Sequence, residues 1–184
     1  MSVIAARAPV NPGQLAFDLE ALKGHLRVSG SSEDAAITNI GLTAEMELER
    51  FAQVALLYQQ ITVRYLELRL TRQVLTMPIG PYASEGPPIV TVDGEAFTSF
   101  DYIPGPRPAL RLLLNPLDFT PDEMVVEYQA GFGATADDVP ADLRQALMDQ
   151  AALHYDGRSP MDAKALTTSP HMARIGAKYR GVRL

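Results

Sequence analysis

Cysteine is absent from the 184-residue chain, which excludes disulfide scaffolds, zinc ribbons and thiol nucleophiles. No apolar run approaches the roughly 20 residues needed to cross a bilayer. Residues 1–10 also lack the continuous apolar stretch of a secretory signal, so the expectation is a soluble protein of a reducing cytoplasm. Histidine is scarce, with His25, His154 and His171 the three copies. They are widely spaced, and no H-x-x-x-H or H-E-x-x-H pattern accompanies them. Packing or capping is the plain reading of His25 and His154.

What is present is ordinary for a globular protein: 47% hydrophobic and 21% charged residues. The length suits one domain, or one domain with a sizeable insertion, and can bury roughly 70% of the unfolded surface. The net charge of -6 argues against a DNA-reading domain, which needs a basic face. That total conceals an asymmetry. Residues 1–162 carry all 22 acidic residues against 11 basic ones, and residues 163–184 carry 5 basic residues and no acid. A basic tail on an acidic body suggests a partner of its own for the tail.

Along the chain, residues 1–14, with Pro9 and Asn11-Pro12-Gly13, read as a flexible N-terminal arm. A helix is expected over 18–27, with Asp18 as N-cap and Leu19, Leu22 and Leu26 as its apolar stripe. Ser31 and Asp34 resemble a capping box that opens a longer helix over 32–55. Ile37, Ile40, Ala44, Leu48 and Phe51 recur in it at helical spacing. Residues 58–130 then change character. Ile61 to Tyr65 alternates as a strand, and Leu66, Leu68 and Leu70 continue on the other parity, which suggests a bulge. Ile89 to Val92, Asp93-Gly94 and Glu95 to Phe97 form the best hairpin signal. Leu110–Leu114 and Met124–Tyr128 supply further strands. Pro140 opens a last helix over 141–155, with Leu143, Ala146, Leu147, Ala151 and Tyr155 inward. The fold class is therefore α+β: a small helical bundle with an inserted small antiparallel β domain and an extended C-terminal tail, 158–184. Leu22, Leu26, Ile40, Leu48, Leu143 and Leu147 are the expected bundle core.

Catalytic signals are missing. Gly131-Phe132-Gly133-Ala134-Thr135-Ala136 matches G-x-G-x-x-A after a strand, but the helix begins too late and no ribose-binding acid follows. Glu33-Asp34, Asp122-Glu123 and Asp137-Asp138 could be acid pairs, yet two of them stand at helix starts, where the dipole favours carboxylates. No serine sits in a G-x-S-x-G elbow, and there is no phosphate-binding G-x-x-x-x-G-K-[ST] loop. No catalytic, cofactor-binding or metal-ligating residue is therefore expected. The tail is the unusual feature. His171, Arg174, Lys178, Arg180 and Arg183 alternate with Met172, Ile175, Tyr179, Val182 and Leu184. A frayed basic terminus is one reading; a segment that orders on a partner is the other.

Several segments resemble the head-tail connector (adaptor) proteins of tailed phages. Asp18-Leu19-Glu20-Ala21-Leu22-Lys23-Gly24-His25-Leu26-Arg27-Val28, then Glu33-Asp34 and a long helix, looks like the opening of that family. Ala55-Leu56-Leu57-Tyr58-Gln59-Gln60 stands at its first strand entry. Asp101-Tyr102 and Val125-Val126-Glu127-Tyr128-Gln129-Ala130-Gly131-Phe132-Gly133 resemble its later strands. Val139-Pro140 with Leu143-Arg144-Gln145-Ala146-Leu147 resembles its closing helix. The similarity spans residues 15–157. Where the family has a Thr-Gly-Arg-like turn before the first strand, this chain has Ala52-Gln53-Val54. The resemblance implies a non-enzymatic subunit, without cofactor, of a dodecameric ring beneath the portal protein of a capsid. Such a ring bridges portal and stopper or tail-completion protein, and DNA passes through its channel without specific binding. Phage, prophage and gene transfer agent particles all use such a part. The tail residues Arg174, Ile175, Lys178, Tyr179, Arg180, Val182, Arg183 and Leu184 are the expected portal contact. Two alternatives stay open: a nucleic-acid-binding accessory protein that uses the basic tail, and a small enzyme.

Overall fold

A computed structural model describes residues 2–70, 72–115, 117–158 and 168–180. The chain divides into two compact units, Met1–Pro12 with Tyr58–Phe132, and Gly13–Leu57 with Gly133–Leu184. Helices and antiparallel sheets are both present, so the α+β expectation is met.

Among the described residues, the first unit holds eight strands: β1 (Ser2–Pro9), β2 (Gln59–Leu66), β3 (Val74–Thr76), β4 (Ile89–Val92), β5 (Glu95–Ala96), β6 (Phe100–Ile103), β7 (Ala109–Leu112) and β8 (Glu123–Ala130). They form a five-stranded sheet in the order β1-β2-β8-β4-β5 and a three-stranded sheet in the order β3-β7-β6. Among the described residues, every pairing between these strands is antiparallel. The period-2 pattern of β2 and β8 is the cause: Ile61, Val63 and Tyr65 face inward opposite Tyr128, Val126 and Met124. The parity change after Tyr65 is real but arises from one residue. Glu67 takes a left-handed φ of 50, and Leu68 beyond it is fully buried. The Asp93-Gly94 hairpin forms as read, with φ of 51 and 86 at its two central residues, as a type I′ turn requires. The expected arm differs. Residues 2–9 form β1, paired with β2 along its whole length; both faces of β1 are exposed, so its sequence carries no alternation to read.

The second unit is a bundle of α1 (Leu19–Leu26), α2 (Asp34–Ala52), α3 (Ala141–Asp156) and α4 (Pro170–Tyr179). Asp18 caps α1, its Oδ1 accepting the Ala21 N–H at 2.7 Å. The start of α2 is not a side-chain cap at Ser31: Glu33 occupies the N-cap and makes no capping hydrogen bond. Both helices end on a left-handed residue other than glycine, Arg27 at φ 58 and Gln53 at φ 57. Gln53 thus keeps, without glycine, the turn that leads to the strands. Leu22, Leu48, Leu143 and Leu147 are fully buried, joined by Ile37 and Ala44; Leu26 and Ile40 are half-buried at its margin.

The tail is the main departure from the expected architecture. Residues 170–179 are not extended; they form α4, which packs on α2 and α3. Met172, Ile175, Gly176 and Tyr179 recur at i, i+3, i+4 and i+7, a helical stripe. Val182, Arg183 and Leu184 lie outside the described residues.

Candidate functional site

The docking of α4 is built residue by residue. Ser169 is its N-cap, accepting the Met172 N–H at 3.1 Å, and Pro170 occupies the first turn, where its missing N–H costs nothing. The Ser169 N–H donates to Gln150 Oε1 at 2.7 Å, and Gln150 Nε2 donates to Glu47 Oε2 at 2.8 Å. One polar line thus ties α4 to α3 and α2. Further along, the Asp142 carboxylate accepts Lys178 Nζ at 3.0 Å and the Tyr179 hydroxyl at 2.9 Å. Burial raises the Asp142 carboxyl, but the hydrogen bonds from Lys178 and Tyr179 outweigh it and hold the group below its ordinary range. Tyr179 is pushed up to about 12 by burial and by the same Asp142 bond. Gly176 lies against the Phe51 ring so closely that a Cβ there would collide with it.

All three histidines serve this bundle. His171 Nδ1 contacts Asp149 Oδ2, His25 Nε2 lies 3.2 Å from Asp149 Oδ1, and His154 Nε2 lies 2.8 Å from Glu47 Oε2. Asp149 on α3 therefore joins α1 and α4, while His154 joins α3 to α2. The widely spaced histidines of the sequence are brought together by tertiary packing, each on a carboxylate of another helix. Among the described residues, no group of His, Asp or Glu has a metal-binding arrangement. Lys23 performs a similar task between α1 and α2, with Nζ 2.8 Å from Glu20 and 2.9 Å from Asp34. Its hydrogen bonds to Glu20 and then Asp34 raise its pKa.

The glycine-rich segment after β8 has a structural explanation. Asp138 folds back over Gly133, where any Cβ would collide with it. Its Oδ2 accepts the Thr135 N–H and hydroxyl, both at 2.9 Å. The hydrogen bonds from Thr135 lower the pKa of Asp138. The approach a dinucleotide would need over Gly133 is occupied by this carboxylate.

Of the expected tail contacts, Ile175 is turned into the bundle and is 3% exposed, because it belongs to the inner stripe of α4. Tyr179 is half-buried against Asp142. Arg174, Lys178 and Arg180 remain on the exposed side, with the Arg180 guanidinium 5.8 Å from the Phe51 ring centre. The structure thus separates a packing face from a basic outer face. The signal for α4 was present as Ser169-Pro170 followed by Met172, Ile175 and Gly176, a cap with a helical stripe behind it.

No family model and no curated protein sequence matches the chain. Solved structures do match in fold. A chain in the virion of a native gene transfer agent (GTA) particle is 24% identical, with a TM-score of 0.75 over 98% of this chain and 97% of that one. A chain in the neck of an empty GTA particle, computed with C6 symmetry, is 23% identical, with a TM-score of 0.75 and the same coverage. A chain in the neck of a native GTA particle, computed with C12 symmetry, is 22% identical with a TM-score of 0.70, again over 98% and 97%. This chain shares their fold along nearly its whole length.

Proposed function

We propose that the chain is a structural subunit of the neck of a phage-like particle, an adaptor ring between the portal protein and the stopper or tail components. The observation that carries this reading is the fold shared over 98% of this chain with neck and virion chains of GTA particles. It agrees with the order of connector-like segments along residues 15–157. The C12 symmetry of one of those necks supports a ring of 12 copies. A net charge of -6 suits subunits around a DNA channel, since an acidic wall repels phosphate and lets DNA slide. An adaptor needs no chemistry of its own.

The portal contact belongs to the C-terminal segment, in a form different from a free strand. Ile175, with Met172, anchors α4 in its own bundle, so the surface offered to the portal is the outer side of α4, with Arg174 and Lys178, followed by Val182, Arg183 and Leu184. A chain ending at Arg180 keeps α4, whereas one ending at Pro170 removes a helix of the bundle. The test is binding of the chain ending at Arg180, and of the same chain with Arg174→Glu, to purified portal rings. Loss of portal binding with an unchanged circular dichroism melt is expected. Full-affinity binding by the double variant would overturn the assignment of the contact. Absence of binding by the wild-type chain would overturn the adaptor reading itself.

A further inference from the structure

We propose that the outer edge of β1 is the surface by which one copy of this chain docks on the next copy in the ring, through an added backbone ladder. The proposal rests on the ring reading above and names the element that makes the ring.

The register defines what that edge offers. The Val10 N–H donates to the Tyr58 carbonyl at 3.0 Å, continuing the β1–β2 ladder in which Pro9 faces Gln59. Hydrogen-bonded pairs alternate along an antiparallel ladder, so Ala8, Ala6, Ile4 and Ser2 bond to β2. On its other side β2 keeps the alternate set, as the Glu67 N–H to Asp122 carbonyl bond at 2.9 Å shows. The backbone groups of Val3 and Ala5 therefore point away from the sheet. Pro9 falls in the same outward set, where a missing N–H leaves the β1–β2 ladder whole.

This edge is long and unguarded. β1 has eight residues, all exposed, and its apolar side chains Val3 and Ile4 are 45% and 53% exposed on opposite faces. Edge strands are ordinarily blunted by charge, bulges or brevity. Here the pairing runs without a bulge, and Arg7 is the single charged residue of the strand. The opposite edge of the same sheet is blunted, since β5 has two residues.

The occupant follows from symmetry and charge. A ring of one chain closes through head-to-tail contacts, a projecting element on one side meeting a different surface on the other. β1 carries no acid, whereas residues 58–132 hold nine Asp or Glu against five Arg. Of the other sheet edges, β3, β5 and β6, the four-residue β6 carries Asp101. β1 laid on the β6 edge of a second copy is complementary in backbone hydrogen bonding and brings no acid against Asp101.

Two proline variants separate the outer ladder from the inner one. Ala5→Pro removes an outward N–H and is expected to leave the thermal melt unchanged while abolishing complete rings on the portal in negative-stain images. Ala6→Pro removes an inward N–H and is expected to lower the melting temperature as well. In the otherwise wild-type chain, a photo-crosslinking amino acid in place of Val3 is expected to yield covalent dimers of this chain, with the portal present and in concentrated free protein. Complete rings from Ala5→Pro, or a crosslink to portal or stopper without any dimer, would overturn the proposal while leaving portal binding intact. A wild-type chain that crosslinks to itself but ignores the portal would overturn the adaptor reading and keep this one.

Discussion

Glu45 is a residue whose environment alters its charge near neutral pH. Its carboxylate accepts the Ala16 N–H at 3.2 Å, yet burial, with a smaller contribution from the Glu49 charge, pushes its pKa up to about 7. The folded chain then holds a proton that the unfolded chain has already released. Stability contributed by this group is present at the acid end and declines as pH climbs from the ordinary carboxylate range to about 7. Glu45→Gln should flatten the decline and exceed the wild type by about 1–2 kcal/mol at mildly alkaline pH. Urea unfolding on either side of neutrality checks this; a difference that does not widen with pH rejects it. Burial bears on Tyr65 too. It is 2% exposed, and its hydroxyl has no hydrogen-bond partner among the described residues. Tyr65→Phe removes an unpaid desolvation cost and should stabilise the protein by about 1 kcal/mol. A loss of stability in the same urea experiment would show that the hydroxyl has a partner.

At the scale of elements, packing decides what periodicity only suggests. Leu147 on α3 is fully buried in the bundle, and Leu147→Ala should cost about 2–5 kcal/mol, read as a lower denaturation midpoint. A cost well under about 0.8 kcal/mol, what burying a single methylene is worth, would place that face outside the core. The helices 18–27 and 141–155 were legible from caps and apolar stripes, because those signals are local. The Asp93-Gly94 hairpin was legible for the same reason. β1 was not, since its hydrogen bonds go to β2, more than forty residues away in sequence, and neither face alternates. α4 was readable in part; the five basic residues of 163–184 drew attention to charge and away from the stripe of Met172, Ile175 and Gly176.

For the whole molecule, the distribution of charge is the property that matters. The acidic total and the basic outer face of α4 make opposite predictions for DNA. A ring lining should leave duplex DNA unretarded in a gel shift at about 0.15 M salt, where charges beyond roughly 8 Å are screened. Retention of duplex at that salt, lost on removing residues after Arg180, would favour the nucleic-acid-binding alternative. The resemblance to connectors was accessible from the order of short segments along 15–157, and the fold shared with the GTA chains covers 98% of this chain.

The sequence by itself determined the α+β class, the positions of the strongest helices and hairpin, and the lack of any recognisable catalytic motif. Those rest on local spacing, on turn chemistry and on residue types, which survive without a fold. Only the tertiary structure decided that three scattered histidines each meet a carboxylate of another helix. The same holds for Ile175 facing its own bundle and for the N-terminal residues completing a sheet. These are contacts between segments far apart in the chain, and such contacts are selected by which faces must be buried together, a condition no single segment states.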